Sequence, residues 1–281
     1  MIQAKQKKSA TRKFGVILSG GISLGLTYVG VHRAFWEAEL KPSAIGGCSV
    51  GAVMGALWAA GLTPYEIEKV TSQARWPGLV GLRRNRLGLF SFSKLASLVE
   101  EACGVNFIED LPIPLAISAT NLASGEQVML REGRLGEAVA ASCAIPGLFA
   151  PVTIDDMLLV DGGVRLNLPA SILNNLDDLS FVFAVDPIRR LSIGVKPSNP
   201  LTAMLQSFLI YLQTQSKYAP MECSKPMLLA APKIIGVNPL DFKQLAEMQQ
   251  MGYDEANRAF AQFGGWFTDG PSAGTTIAEV F

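Results

Sequence analysis

A serine set between two glycines, Gly-x-Ser-x-Gly, is the pattern of a nucleophile at a strand-to-helix turn. The sequence contains it three times: Gly21-Ile22-Ser23-Leu24-Gly25, Gly47-Cys48-Ser49-Val50-Gly51 and Gly270-Pro271-Ser272-Ala273-Gly274. Such a turn needs a strand that ends on the serine and a helix that starts directly after it. Only that geometry exposes the hydroxyl and aims the helix N-terminus at it. Ser272 lies in a Gly/Pro-rich segment, and Ser23 sits several residues past the end of an apolar run at 14–18. Ser49 alone has a short apolar run before it, 44–48, and a helix-forming stretch after it, 50–60. The flanking Gly47 and Gly51 carry no Cβ to clash at a tight turn. Context therefore selects Ser49 as the candidate nucleophile.

Two further segments could serve it. The loop Ser19-Gly20-Gly21-Ile22-Ser23-Leu24-Gly25, between a strand and a helix, presents backbone N–H groups to an anion. Gly20 and Gly25 are spaced as in a phosphate loop, but Leu26 stands where the lysine should be, and Gly-x-Gly-x-x-Gly is absent. An oxyanion hole needs only N–H donors and fits better. Asp161-Gly162-Gly163 follows the apolar run 157–160. An Asp at a strand end before two glycines suits an active-site rim, with an ordinary Asp-Gly turn as the alternative. The chain has one histidine, His32. A zinc site with several His ligands is thereby excluded, and a Ser-His-Asp triad would have to use His32.

The elements that must position these groups alternate. Strands are expected at 14–18, 44–48, 114–119, 126–131, 157–160, 180–185 and 226–231. Helices are expected at 26–40, 50–60, 62–75, 134–142, 200–218 and 240–263. Most strands are solid apolar runs, the mark of a mainly parallel sheet covered on both faces. With 281 residues, 49% hydrophobic and 17% charged, the chain can bury a large core. We expect one domain over 14–263, a basic flexible tail over 1–13 (Lys5, Lys7, Lys8, Arg12, Lys13) and a C-terminal tail over 264–281. Glycines at 20 and 21 interrupt the first apolar run too early for a secretory signal, and five glycines break up the uncharged stretch 42–65 that could otherwise suggest a membrane span. The zero net charge argues against a nucleic-acid partner. Four scattered cysteines without a Cys-x-x-Cys pair favour a reducing compartment, hence a cytoplasmic location.

Four segments together resemble the patatin-like phospholipase family, in the family's order and spacing. They are 18–31 (LSGGISLGLTYVGV), 47–51 (GCSVG), 142–152 (SCAIPGLFAPV) and 160–169 (VDGGVRLNLP). Weaker likeness extends through 115–130 and 238–260, so the resemblance covers roughly 14–263. It implies a three-layer α/β/α sandwich with a mainly parallel central sheet. It also implies a Ser-Asp dyad working through an acyl-enzyme, with Ser49 as nucleophile and Asp161 as base. Gly20, Gly21 and Ile22 would form the oxyanion hole, with Gly47, Gly51, Gly162 and Gly163 as motif glycines and neither metal nor cofactor. His32 then becomes a helix-surface or packing residue. The chain departs from the family block at Ile22, commonly glycine, and at Leu24, commonly basic; Arg165 is a candidate replacement for that cation.

The implied function is a serine lipid acyl hydrolase of phospholipase A or lysophospholipase type, with a lipid or phospholipid substrate. An acyltransferase or short-chain esterase with the same dyad is one alternative. A catalytically impaired lipid-binding or regulatory protein, motivated by Leu24 and Ile22, is another. An ordinary Asp has a pKa near 4 and is a poor base for a hydroxyl unless burial raises it. Residues 75–92 mix Arg75, Arg83, Arg84 and Arg86 with Trp76, Leu79, Val80, Leu82, Leu87, Leu89, Phe90 and Phe92. Cations beside apolar groups suit peripheral contact with an anionic membrane surface.

Overall fold

A computed structural model of the chain describes residues 11–73, 81–85, 87–192, 196–235, 237–238 and 244–280. Its strands are β1 (Phe14–Leu18), β2 (Ala44–Cys48), β3 (Gly81–Asn85), β4 (Gly88–Ser91), β5 (Leu115–Asn121), β6 (Gln127–Leu130), β7 (Val152–Ile154), β8 (Met157–Asp161), β9 (Phe181–Val185), β10 (Leu191–Ser192), β11 (Met227–Ala230), β12 (Ile234–Ile235) and β13 (Ile277–Glu279). Its helices are α1 (Thr27–Glu37), α2 (Val50–Ala59), α3 (Pro64–Gln73), α4 (Ser93–Cys103), α5 (Leu135–Ser142), α6 (Pro200–Ser216) and α7 (Leu245–Phe263). Of the residues expected to touch a membrane surface, Arg75, Trp76, Leu79, Val80 and Arg86 lie outside the described residues, as does most of the basic tail.

The main sheet runs β13-β11-β9-β1-β2-β5-β8-β7, with β6 on β5. From β13 to β5 all pairs are parallel, while β6, β7 and β8 add an antiparallel edge. Side chains of a strand alternate between faces, and this alternation builds two apolar layers. Phe14, Val16, Leu18, Phe181 and Phe183 face a cluster shared with α1, α2, α5 and α7. Ile17, Val182 and Ala184 face a second cluster with Leu168, Ile172 and Leu173. The fold is thus the expected three-layer, mostly parallel sandwich. The layer over the second cluster is thin and carries two 3-10 helices, Ala170–Leu173 and Ala219–Glu222.

Two features depart from expectation. The amphipathic α4 has no counterpart among the expected elements; it buries Leu95 and Val99 beside α5. The segment expected as a C-terminal tail packs instead. Trp266 and Phe267 are buried among Phe14, Phe35 and Phe181, and β13 extends the sheet edge next to β11. Arg12 N–H, just before β1, donates to the Phe267 carbonyl at 2.8 Å. Among the described residues, no helix is long and apolar enough to cross a membrane.

Candidate active site

Strand register sets Ser49 and Asp161 level with each other. Cys48 pairs with Ser118 across β2–β5, and Ala119 pairs with Asp161 across β5–β8. The residue after Cys48 and the last residue of β8 therefore stand at the same height on either side of β5. β2 is parallel to β5 and β8 antiparallel, so the chain climbs to Ser49 on one side and descends to Asp161 on the other. The Gly-rich loop leaves the end of β1, next to β2, while β9 lies on the other side of β1. Carboxyl ends of parallel strands at such a reversal of strand order are where open α/β sheets place ligands.

Ser49 has φ 52° and ψ −125°, a region that side chains rarely adopt. Its neighbours allow it. A Cβ at Gly51 would stand 2.3 Å from the Leu18 carbonyl oxygen, and one at Gly47 would stand 2.4 Å from that of Gly51. Only glycines let β1, β2 and α2 approach so closely. The Ser49 N–H donates to Ser142 Oγ at 2.8 Å, and Ser142 Oγ–H donates to the Ser118 carbonyl at 2.6 Å. Ser142, wholly buried at the end of α5, thus props the strained turn, a role that nothing in the spacing of the sequence marks. We expect Ser142→Ala to lower stability by about 1–3 kcal/mol, the usual cost of a buried donor left unpaired, and to slow covalent labelling of Ser49. Urea melts and labelling rates check this; a variant indistinguishable in both would show that the prop is dispensable.

Asp161 is 1% exposed. Its Oδ1 accepts the Gly163 N–H at 2.8 Å, and Oδ2 has no hydrogen-bond partner. Burial raises its pKa to about 7, against the opposing pull of the Ser49 hydroxyl and the Gly163 N–H. A carboxyl titrating there, with a vacant lone pair beside a serine hydroxyl, can act as a base near neutral pH. Two free thiols flank it, Cys48 and Cys143, and burial holds both well above the usual thiol range, so they stay protonated. His32 is elsewhere. Its ring packs at a tilt against Trp58, centroids 4.5 Å apart, and Trp58 is nine residues along α2 from Ser49, or about 13 Å. Burial pushes its pKa down to about 4. It is a packing histidine and cannot reach Ser49.

The Gly-rich loop folds into a 3-10 helix, Ile22–Leu26, capped by Gly21. Leu24 N–H returns to the Gly21 carbonyl at 3.0 Å. The Gly21 and Ile22 N–H groups therefore have no carbonyl inside the helix, and Ile22, with φ 53°, lines the same cavity as Ser49. Gly20 differs from expectation. Its N–H donates to the Asn167 carbonyl at 3.3 Å, and a Cβ there would meet Asn167 Oδ1 at 2.5 Å and Ser49 Cβ at 3.1 Å. Gly20 serves close approach, and Asn167, unassigned from sequence, bridges the glycine loop to the Asp161 turn. A second buried carboxylate, Asp186 at the end of β9, holds the start of the loop. It accepts from Ser19 Oγ at 3.0 Å, from the Ile188 N–H at 3.2 Å and from Ser216.

Leu24, standing where the family commonly has a cation, is fully buried with Ile188, Leu191, Leu209, Leu212 and Met248. It anchors the loop to α6 and α7, and a charge at that position would have no solvation. Arg165 is exposed and does not line the cavity beside Ser49. That cavity has a volume of about 120 Å³ and is partly open to solvent. From Ser49 it follows one face of α2, past Val50, Val53, Met54 and Leu57, and is closed by Val70, Phe92, Leu95, Val99 and Ile145.

Comparison with known proteins gives the family and the fold. The family profile described as patatin-like phospholipase matches residues 16–174. An uncharacterised NTE family protein of Mycobacterium tuberculosis is 34% identical over 163 residues, which are 57% of this chain and 45% of the relative. Neuropathy target esterase sws of Drosophila melanogaster is 26% identical over 298 residues, 92% of this chain and 21% of the relative. The chain thus spans less than half the length of these relatives. The crystal structure of VipD from Legionella pneumophila superimposes with a TM-score of 0.52 at 13% identity, covering 93% of this chain and 72% of VipD, a likeness of fold.

Proposed function

Since the chain belongs to the patatin-like phospholipase family, we propose that it is a serine lipid acyl hydrolase in which Ser49 and Asp161 form the catalytic dyad. The observation that carries this reading is the pairing of a strained, propped serine with a buried carboxylate whose Oδ2 is vacant. Asp161 Oδ2 takes the Ser49 hydroxyl proton as Oγ bonds to the ester carbonyl carbon. The oxygen of that carbonyl becomes an oxyanion, held by the N–H groups of Gly21 and Ile22. Its collapse expels the alcohol, which takes the proton from Asp161, and leaves an acyl-Ser49. Water then gives a proton to Asp161 and attacks the acyl carbon. The acid departs, and the proton returns to Ser49.

The cavity supports a fatty acyl chain as the group transferred, because its walls along α2 are almost wholly apolar. Eight residues separate Ser49 from Leu57, about 12 Å of helix. Each methylene buried in it contributes about 0.8 kcal/mol, or about fourfold in kcat/KM. A series of soluble esters with lengthening acyl chains should show that rise and then a plateau where the cavity is filled. Leu57→Trp should bring the plateau to shorter chains without changing the shortest substrate. Mass spectrometry should find the acyl group on Ser49, and an added alcohol acceptor separates hydrolysis from transfer. A flat chain-length series would refute the acyl cavity. The alternative of an impaired lipid-binding protein rests on Leu24, which is packed in the core, and on Ile22; lipid binding without fluorophosphonate labelling of Ser49 would favour it.

A further inference from the structure

We infer that the exposed apolar stripe along one edge of α6 seats the protein on an anionic lipid surface beside the active site. This rests on the lipid hydrolase reading for its purpose, though its test does not need catalysis. α6 carries no charged residue across Pro200–Ser216. Its inner side buries Leu209 and Leu212 against Leu24 and Ile188. On the edge bordering that side, Leu201, Met204 and Tyr211 are 46%, 38% and 46% exposed. At 100° per residue these three positions fall within one arc of the helix.

The stripe adjoins the site. Tyr211 OH donates to the Val164 carbonyl at 2.7 Å, three residues past Asp161. Met204 Sδ lies beside Gly147, in the loop that carries Ile145 into the cavity. Against the same loop, Leu89 is 60% exposed on the β3–β4 hairpin, its N–H donating to the Leu148 carbonyl at 3.1 Å. Exposed apolar groups of two elements thus meet one loop of the acyl cavity, and exposed apolar patches mark binding surfaces.

Charge favours a lipid occupant. From Pro187 to Met221 the chain carries Arg189, Arg190, Lys196 and Lys217 and neither Asp nor Glu. Arg189 is engaged by Glu279 and the Ser216 carbonyl, but Lys196 and Lys217 are exposed and bracket the helix. Two copies pairing antiparallel through this face would bring Lys196 of one toward Lys217 of the other. Anionic headgroups complement both lysines. Exposed apolar side chains between two exposed cations thus match a surface of apolar tails under anionic headgroups.

The test uses the full chain carrying Ser49→Ala, so that vesicles stay intact, and measures co-sedimentation with phosphatidylcholine vesicles with and without phosphatidylserine. Adding phosphatidylserine should tighten binding. Leu201→Ser with Met204→Ser should weaken it roughly tenfold or more on both vesicles. Lys196→Gln with Lys217→Gln should weaken it only where phosphatidylserine is present, by about fivefold per lysine. In the Ser49 background, the leucine–methionine pair of substitutions should slow hydrolysis of vesicle lipid and leave turnover of a soluble short-chain ester unchanged. Unchanged melting curves would show that these exposed substitutions leave the fold intact. Vesicle binding that survives both double substitutions overturns the inference. A dimer in light scattering that Leu201→Ser with Met204→Ser dissolves, with no vesicle binding, would assign the stripe to a second copy instead. Vesicle binding by a protein with no ester hydrolysis would leave the surface standing and remove the hydrolase reading.

Discussion

Ser49→Ala is expected to abolish labelling by a fluorophosphonate and to lower kcat/KM for a soluble ester by on the order of 10⁴-fold or more. No other nucleophile can replace the hydroxyl. Cys48 and Cys143 lie nearby, but burial keeps both thiols protonated, and the thiol is a far weaker nucleophile than the thiolate. On the proposed mechanism, what should survive is direct attack by water with help from the Gly21 and Ile22 N–H groups, a small residue of catalysis. The loss is not a folding defect, because the Ser49 N–H still reaches Ser142 Oγ and the turn is unchanged. Ser49→Gly sharpens the point. At φ 52° and ψ −125° a side chain costs about 1–3 kcal/mol, and glycine removes most of that strain. Ser49→Gly should therefore be as inactive as Ser49→Ala, yet melt at higher urea than the unsubstituted protein. Full labelling of Ser49→Ala would transfer the nucleophile to another residue and end the present assignment.

Much of this site is legible in the sequence for a local reason. Ser49 stands out among three Gly-x-Ser-x-Gly matches because the strand before it and the helix after it are each written in neighbouring residues. β2 does end at Cys48, and α2 does begin at Val50. Asp161 is legible in the same way, from an apolar run ending on an Asp before two glycines. What the sequence conceals depends on contacts distant along the chain. The Gly20 N–H is engaged by Asn167, 147 residues away, and Ser142 supports Ser49 from 93 residues away. Spacing within a motif carries no trace of either. Leu24 shows the same limit in reverse, since it looks like a missing cation in the motif and proves to be a core residue once α6 and α7 are in place. The C-terminal segment reads as a tail because Trp266 and Phe267 sit among Gly, Pro, Ser and Thr without periodicity. Its three-residue strand, Ile277–Glu279, exists only through pairing with Met227, Leu228 and Leu229 of β11. The thin layer over the second apolar cluster hides for a related reason, because 3-10 turns lack the 3.6-residue period that marks a helix.

Asp161→Asn is expected to lower kcat by on the order of 10⁴-fold and, above neutral pH, to make the protein more stable. The first effect follows from the base. With the Asp161 pKa raised to about 7, kcat/KM of the unsubstituted protein should rise about tenfold per pH unit below 7 and level off above it. The Asn variant should lose that limb along with its rate. The second effect follows from linkage. The carboxyl titrates near 4 in the unfolded chain and near 7 in the folded one. Across that window the folded state holds a proton that the unfolded state has released. Stability therefore falls as pH rises from about 4 to 7, by about 4 kcal/mol in all. Below about pH 4 both states are protonated and the contribution is fully present; above 7 it is lost. The asparagine side chain keeps the Oδ1 bond from the Gly163 N–H and can donate through Nδ2 to Ser49 Oγ, with no charge to bury. Urea midpoints of the two proteins should lie closest near pH 4 and separate in favour of the Asn variant by about pH 8. The cost of ionising Asp161 inside the fold is the cost of having a base there, so activity and stability should change in opposite directions over the same pH units. A stability difference that does not vary with pH would mean that Asp161 titrates alike in the folded and unfolded chain, and the dyad would then lack the raised base on which its chemistry depends.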